Sequence, residues 1–196
     1  TADVKKAFGN TTASEKYREG AWSEQQGFPG AVSFFEDRLA WAGSTNRPQN
    51  VWVSKSGSYE EHTPGTLDDD AIDAQLASGQ VDVIRWLRPS LQLLIGTVGG
   101  EWTAGAADPL DPITPANFAA KSRTTWGSST VAPIRHGDIT LFIPRAGRQV
   151  RELTFALESN SFVAPDLTIL AEHMFSIAHH GNTQDMAFQK EPDPIL

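Results

Sequence analysis

Short apolar segments separated by turn residues dominate the chain. Residues 32–35 and 38–42 are two such segments around an acidic turn, and a third segment at 50–55 follows a polar loop. Two apolar runs that flank a short turn are typical of a β-hairpin. Residues 71–77 alternate apolar and polar side chains, which is consistent with a fourth, half-exposed strand or with a short helix. The pattern therefore predicts a unit of three or four strands near the start of the chain.

The same order of strands and turns occurs twice more. Leu39, Leu91 and Ile139 take equivalent second-strand positions at a spacing of about 50 residues, a period typical of propellers and solenoids. Repeated hairpins also arise by chance in β-rich chains, so a coincidental repeat stays open. The strand-like segments of the two later units lie at 81–87, 91–95, 101–104 and 119–126, and at 130–135, 139–143 and 149–157.

We therefore predict a mainly β fold of antiparallel sheets, built from propeller-like repeats of about 50 residues in a partial propeller. Residues 185–196 align with residues 82–93, so a further repeat begins near the end of the chain. This unfinished repeat and the lack of an initiator methionine predict a fragment of a longer protein. The predicted division is a lead-in segment at 1–28 and a propeller-like region at 29–196, with repeats at 29–78, 79–127 and 128–165 and an incomplete repeat at 184–196.

One segment near the C-terminal end departs from the β pattern. Its apolar residues recur every three or four positions, which places them on one face of a helix. Asp166 can cap the first turn, Pro165 precedes it, and Gly181 follows its end. We predict an amphipathic helix at residues 166–178 that packs on the sheets. Its apolar face consists of Leu167, Leu170, Ala171, Met174, Phe175 and Ala178.

Composition restricts the classes of function. Hydrophobic residues make up 39% of the 196 residues, which suits a folded domain, and the lack of cysteine excludes disulfides, thiolate zinc sites and cysteine nucleophiles. The formal net charge of −8 argues against a broad basic surface for nucleic-acid phosphates. It does not exclude a neutral or acidic wall around nucleic acid. No apolar stretch approaches the roughly 20 residues of a membrane-spanning helix, so we predict no membrane span.

Histidines near the C-terminal end are the first candidates for a metal site. His173, His179 and His180 lie close to Glu172 in the sequence. A zinc-binding helix usually carries two histidines four residues apart, and that spacing is missing. We interpret these side chains as solvent-facing histidines at a helix end, where the helix dipole favours cations.

Two loop segments are further candidates. Asp68, Asp69 and Asp70 could form a calcium loop or supply paired carboxylates, but a calcium loop also needs a glycine turn and a distal glutamate, which do not follow. A solvated acidic turn is the favoured interpretation. The glycine-rich segment 96–100 lacks the Lys-Ser/Thr ending of a phosphate-binding loop and predicts a β-turn between strands.

Arginine and tryptophan complete the candidates. Arg47 lies in a loop between two apolar strands, with Arg38 upstream, and we predict that this loop arginine fixes the loop by donating hydrogen bonds to backbone carbonyls. We predict no catalytic, cofactor-binding or metal-binding residue, and no cofactor. Five tryptophans lie in predicted strands: Trp41, Trp52, Trp86, Trp102 and Trp126. Their favoured role is packing in the core or between blades, and the alternative is stacking on sugars or bases.

Residues 27–59 carry a distinctive string, GFPGAVSFFEDRLAWAGSTNRPQNVWVSKSGSY. It resembles the pattern G-x-P-x-x-V-x-F-x-x-x-R-L-x-x-x-G-S/T-x-x-x-P-Q-x-x-W-x-S-x-x-G-x-Y/F of structural proteins from tailed bacteriophages and prophages. Within that group, the chain resembles the tail nozzle, or packaged-DNA stabilisation, proteins of short-tailed phages. The resemblance covers nearly the whole chain after about residue 20, with further matches at 69–72, 84–87, 94–102, 147–153, 166–173 and 185–192.

The resemblance implies a non-enzymatic component of the virion tail, assembled in the bacterial cytoplasm. The full-length protein would form a homo-oligomeric ring with portal, adaptor and other tail proteins. DNA would pass through that ring during ejection as cargo only, and an acidic wall would avoid gripping it. The first alternative is a glycan-binding or glycan-degrading phage tail protein that uses acidic residues beside tryptophan. A carbohydrate- or protein-binding propeller of cellular origin is the other.

Overall fold

A computed structural model describes residues 20–171, 174 and 183–189. In these residues, twelve strands form three four-stranded antiparallel sheets, and hydrogen-bonded neighbours within each sheet are consecutive along the chain. The first sheet contains β1 (Ala31–Phe35), β2 (Arg38–Ala42), β3 (Asn50–Val53) and β4 (Ile72–Gln75). The second contains β5 (Ile84–Pro89), β6 (Leu93–Thr97), β7 (Glu101–Gly105) and β8 (Ala119–Thr124). The third contains β9 (Ile134–His136), β10 (Ile139–Phe142), β11 (Arg151–Ala156) and β12 (Ser161–Val163).

The acidic turn between β1 and β2 is a two-residue hairpin turn. Glu36 and Asp37 have φ angles of 47° and 56°, the left-handed conformation that such a turn requires at both central positions. The turn sets the register in which Phe35 pairs with Arg38. Because side chains alternate along each strand, this register sends Phe35 and Arg38 towards the second sheet and leaves Phe34 on the opposite, exposed face.

The three sheets pack against one another through their faces. β5 contacts β1 and β2 of the first sheet, and β8 contacts β12 of the third. The core between the first two sheets contains Val53 and Ile95, and the core between the second and third contains Trp86 and Phe142. On the far face of the third sheet, Met186 packs against a further apolar cluster. The mainly β, antiparallel fold predicted from the sequence is therefore confirmed.

The glycine-rich segment 96–100 runs from the end of β6 to the start of β7, and residues 98–100 make the connection. Gly96 allows a close approach inside the second sheet, because a Cβ atom at this position would lie 2.1 Å from Cε2 of Trp86. The missing side chain leaves room for a buried indole ring. This position therefore needs glycine for packing rather than for phosphate binding.

The helix predicted at residues 166–178 is not seen, and the prediction is wrong for residues 166–171. Asp166 pairs with Arg151 in an antiparallel bridge, and the Leu167 N–H donates to the Val150 carbonyl at 3.0 Å. The Asp166 carboxylate accepts hydrogen bonds from both the N–H and the hydroxyl of Thr168 at 2.8 Å. These bonds hold the segment beside β11, and Leu170 remains exposed. Residues 172, 173 and 175–178 lie outside the described residues.

Several other predictions fall partly outside the described residues. The lead-in segment is described only from residue 20, where Trp22 packs on Trp41 and Trp52 of the first sheet. The incomplete repeat is described only up to residue 189. The three sheets span residues 31–75, 84–124 and 134–163. The division into propeller repeats stays a prediction. No helix in the described residues is long and apolar enough to cross a membrane.

We expect Gly96→Ala to destabilise the fold by about 1–3 kcal/mol, because the new methyl group would overlap the Trp86 ring. Gly79→Ala is the matched control, since a Cβ at this position meets no atom within 4 Å. The control should keep or slightly raise the stability of the wild type. Urea unfolding followed by tryptophan fluorescence measures both variants. Equal midpoints for the two variants would contradict the packing role of Gly96.

Candidate functional site

Arg38 is a buried cation that holds backbone carbonyls from three parts of the chain. Its side chain is only 3% exposed. Nη1 donates to the carbonyls of Ser54 at 2.9 Å and Asp70 at 2.6 Å, and Nη2 donates to those of Asp68 at 2.8 Å and Ile113 at 3.3 Å. A planar guanidinium offers five donors in a fixed fork, which suits such a set of acceptors. Arg38 therefore braces the connections that follow β3 and β7.

The acidic run beside Arg38 is a turn rather than a ligand cage. The Asp70 N–H donates to the Leu67 carbonyl at 3.0 Å. The carboxylate of Asp69 pairs with Lys55 at 2.7 Å, and this hydrogen bond lowers the pKa of Asp69. The backbone carbonyls of the run are occupied by Arg38. The carbonyls of Asp68 and Asp70 and the carboxylate of Asp69 thus have partners within the chain.

Arg47 does not brace a loop as Arg38 does. Its side chain is largely exposed and lies 3.6 Å from the Asp73 carboxylate. An exposed ion pair of this length contributes little to stability. The prediction that the loop arginine does the bracing is therefore wrong, and Arg38, at the start of β2, makes the contacts to backbone carbonyls instead.

Glu101 is a fully buried carboxylate at the start of β7. The hydroxyls of Thr124 and Ser128 donate to it at 2.5 Å and 2.9 Å. Burial raises the pKa of Glu101, and these two hydrogen bonds act in the opposite direction. The carboxylate ties β7 to β8 and to the segment that enters the third sheet. Sequence analysis placed Glu101 in a strand but gave no signal of its burial.

The tryptophans divide into buried and exposed groups. Trp52, Trp86 and Trp102 are buried, which confirms a packing role for these three. Trp41 is half-buried and packs against Trp22. Trp126 differs because it is 52% exposed, and the Arg151 guanidinium lies 3.4 Å from the centroid of its ring. Trp126 is therefore the tryptophan best placed to contact a ligand.

Two grooves open at one end of the molecule. We call it the loop end; it carries the connections between the first and second strands and between the third and fourth strands of each sheet. A groove of about 630 Å³ lies there between the first and second sheets, and its walls include Phe34 and Tyr59. The Tyr59 hydroxyl donates to the Asp37 carboxylate at 2.8 Å, which raises the pKa of Tyr59.

A second groove opens at the same end between the second and third sheets. It has a volume of about 680 Å³, within the range of about 300–1,000 Å³ typical of ligand pockets. Its walls combine apolar side chains with two arginines and one carboxylate, that of Asp138. We call it the inter-sheet groove and define it by Leu91, Leu94, Arg123, Arg135, Phe155 and Phe162.

The two arginines are positioned by contacts within the groove wall. Arg123 donates from Nε to the Thr103 hydroxyl at 2.8 Å, and its guanidinium carbon lies 5.1 Å from the centroid of Phe162. Arg135 donates from Nε to the Gly137 carbonyl at 2.9 Å. Phe155 packs edge-on against Phe162 at 5.5 Å and remains partly exposed. The groove therefore offers apolar surface beside cationic groups.

The sequence carries no local signal for this groove. Its arginines and phenylalanines are separated by up to 39 positions, and the third sheet must pack on the second before they meet. The predicted histidines His173, His179 and His180, with Glu172, lie outside the described residues. Among the residues that the structure does describe, no group of three His, Asp or Glu side chains could hold a metal ion.

No protein-family model matches the chain, and no curated protein matches it either. The resemblance to phage tail proteins therefore stays a prediction from the sequence.

We expect Arg38→Lys to lower the free energy of unfolding by about 2–4 kcal/mol, because a single ammonium group cannot reach all the carbonyls that the guanidinium satisfies. Arg47→Lys is the matched control and should change stability by no more than about 0.5 kcal/mol. Urea unfolding monitored by fluorescence measures both. A larger effect at Arg47 than at Arg38 would overturn the assignment of the brace.

We expect the stability of the wild type relative to Glu101→Gln to increase as the pH falls from 7 towards 4.5, the ordinary pKa of glutamate. Burial raises the pKa of Glu101 in the folded state, so the folded chain binds this proton more tightly than the unfolded chain. The resulting stability is complete below the unfolded-state pKa and is lost as the pH rises through the folded-state pKa. Thermal unfolding across this range measures the difference. Glu158→Gln, on an exposed turn, is the control and should follow the wild type.

Proposed function

We propose that this chain is a non-enzymatic structural component of a phage virion, of the tail-nozzle type. In this proposal its three sheets are consecutive blades of a propeller-like region, and it assembles with itself and with portal or adaptor proteins around the DNA channel. The resemblance of residues 27–59 to phage structural proteins supports the class. The packing of the sheets and the character of the loop end support the role.

The packing of equivalent strands is the observation that carries the propeller part of the proposal. The first strand of the first sheet, β1, contacts the first strand of the second sheet, β5. The fourth strand of the second sheet, β8, contacts the fourth strand of the third, β12. Propeller blades are four-stranded sheets arranged radially, so equivalent strands of neighbouring blades face each other. Three consecutive meanders packed in this way fit three blades.

Two buried charged groups, Arg38 and Glu101, support a structural rather than a catalytic role. Arg38 is occupied by backbone carbonyls, and Glu101 accepts hydrogen bonds from two hydroxyl groups. Catalytic residues usually combine a shifted pKa with access to a cleft. Arg38 and Glu101 have almost no exposed surface, so the interactions of both groups serve the fold.

The loop end supports assembly through protein contacts. Its exposed apolar side chains include Phe34, Leu91 and Leu110. Exposed apolar surface bordered by polar groups is typical of protein interfaces. The net charge of −8 would keep passing DNA from being held by the wall, because affinity for the duplex comes chiefly from basic contacts to phosphates.

The alternative of a glycan-binding or glycan-degrading tail protein has one observation in its favour. Trp126 is half exposed, and an exposed indole can stack on a sugar ring. Arg151 stacks closely on this ring. The catalytic form of this alternative additionally needs an accessible pair of carboxylates beside the indole.

We expect the chain to bind a portal–adaptor complex, and Leu91→Asp to weaken this binding at least tenfold, because a carboxylate would be placed in the apolar loop end. Val81→Asp is the matched control, since Val81 is also exposed but lies in the connection between β4 and β5, at the opposite end of the sheets. Sedimentation velocity with the purified complex measures binding. Failure of the unmodified chain to bind, together with binding to host polysaccharide that Trp126→Ala abolishes, would favour the glycan alternative.

A further inference from the structure

We infer that the inter-sheet groove binds the turn at residues 108–111 of a second copy of this chain, with Leu110 inserted among its apolar side chains. This inference deepens the proposed function and rests on its assembly through the loop end. It does not depend on the phage origin. This turn fits the groove because it offers an apolar tip between two carboxylates, and the groove offers apolar surface beside two arginines.

The turn is already formed before any contact with a partner. The Asp108 carboxylate accepts a hydrogen bond from the Leu110 N–H at 3.0 Å. The Asp111 N–H donates to the Asp108 carbonyl at 3.1 Å, which closes the turn. A preformed turn loses little conformational entropy on binding.

Leu110 lies at the tip of this turn and is 84% exposed. Burying an apolar side chain of this size is favourable by about 1.5–3 kcal/mol, so the tip gains from insertion into an apolar groove. Asp108 and Asp111 are also exposed and flank the leucine. The turn therefore presents one apolar group between two negative charges.

The groove is complementary to this turn both in its apolar surface and in its cationic groups. Leu94 continues the core between the second and third sheets, and Phe155 adds partly exposed aromatic surface. Among the described residues, the side-chain hydrogen bond of Arg123 comes from Nε, which leaves its terminal N–H groups available to a carboxylate. Arg135 is exposed at the rim. Arginine pairs well with carboxylates because its donors are arranged in a fork.

The occupant belongs to a second copy because the turn does not fill the groove of its own chain. Pro109 already lines that groove, yet Leu110 next to it remains exposed. The turn and the groove thus lie side by side at the loop end. Two or more copies can therefore place the turn of one in the groove of another, either reciprocally or around a ring.

Sedimentation equilibrium of the purified chain over a range of concentrations tests the inference. The chain should self-associate, and both Arg135→Glu and Asp111→Arg should weaken association at least tenfold, because each variant brings like charges together. The double variant that carries both substitutions should associate again, since the charges are exchanged. Thermal unfolding of each variant checks that the fold is intact.

A second pair of variants tests the apolar part of the contact. Leu110→Asp should weaken self-association at least tenfold. Val81→Asp is the matched control, because Val81 is 74% exposed but lies in the connection between β4 and β5, at the opposite end of the sheets from the proposed contact. It should leave the association constant unchanged.

The outcomes separate this inference from the proposed function. A chain that stays monomeric at all concentrations, or a double variant that fails to associate while each single variant remains folded, would overturn the inference. Binding of such a chain to portal or adaptor proteins would leave the proposed function standing. Self-association with charge-exchange rescue, but without binding to those proteins, would instead support the inference and contradict the nozzle role.

Discussion

The hydrogen bonds of the buried Arg38 side chain hold together two connections at the loop end, the one between β3 and β4 and the one between β7 and β8. The buried guanidinium donates hydrogen bonds to the carbonyls of Asp68 and Asp70 and so fixes the acidic turn against the first sheet. It also reaches the carbonyl of Ile113, whose N–H donates to the Glu36 carboxylate at 2.9 Å. The connection between β7 and β8, which carries the 108–111 turn, is thus anchored to the first sheet. One charged side chain thereby couples two sheets at the loop end.

Much of the fold follows from local sequence pattern, because a two-residue period and short turns specify antiparallel hairpins. The turn at Glu36 and Asp37 illustrates this, since an acidic pair between two apolar runs forms the predicted hairpin. The predicted helix shows where local pattern fails. The spacing of Leu167 and Leu170 fits a helix, but the Asp166 carboxylate bonds to Thr168 and the segment pairs with β11. Pairing with a distant strand is a tertiary interaction that a helical period cannot reveal.

At the candidate site, the sequence predicted a type of interaction but not the residue that makes it. The sequence predicted that the loop arginine, Arg47, binds backbone carbonyls, but Arg47 is largely exposed and the buried Arg38 makes these contacts instead. A guanidinium that is itself buried makes stronger hydrogen bonds than one in water, and sequence does not report that burial. The inter-sheet groove was not predictable, because Arg123 and Phe155 become neighbours only through packing of separate sheets.

In the proposed assembly, the acidic character of the chain affects both the passage of DNA and the contacts between subunits. A net charge of −8 disfavours close approach to phosphates, and it also makes copies of the chain repel one another. A contact between copies must therefore place its few cations where the carboxylates of the neighbour arrive. In the proposed contact, Arg123 and Arg135 of the groove would meet that requirement, because a misplaced partner would bring acidic surface against acidic surface. The charge that would let DNA pass freely would thus also restrict how the proposed subunits join.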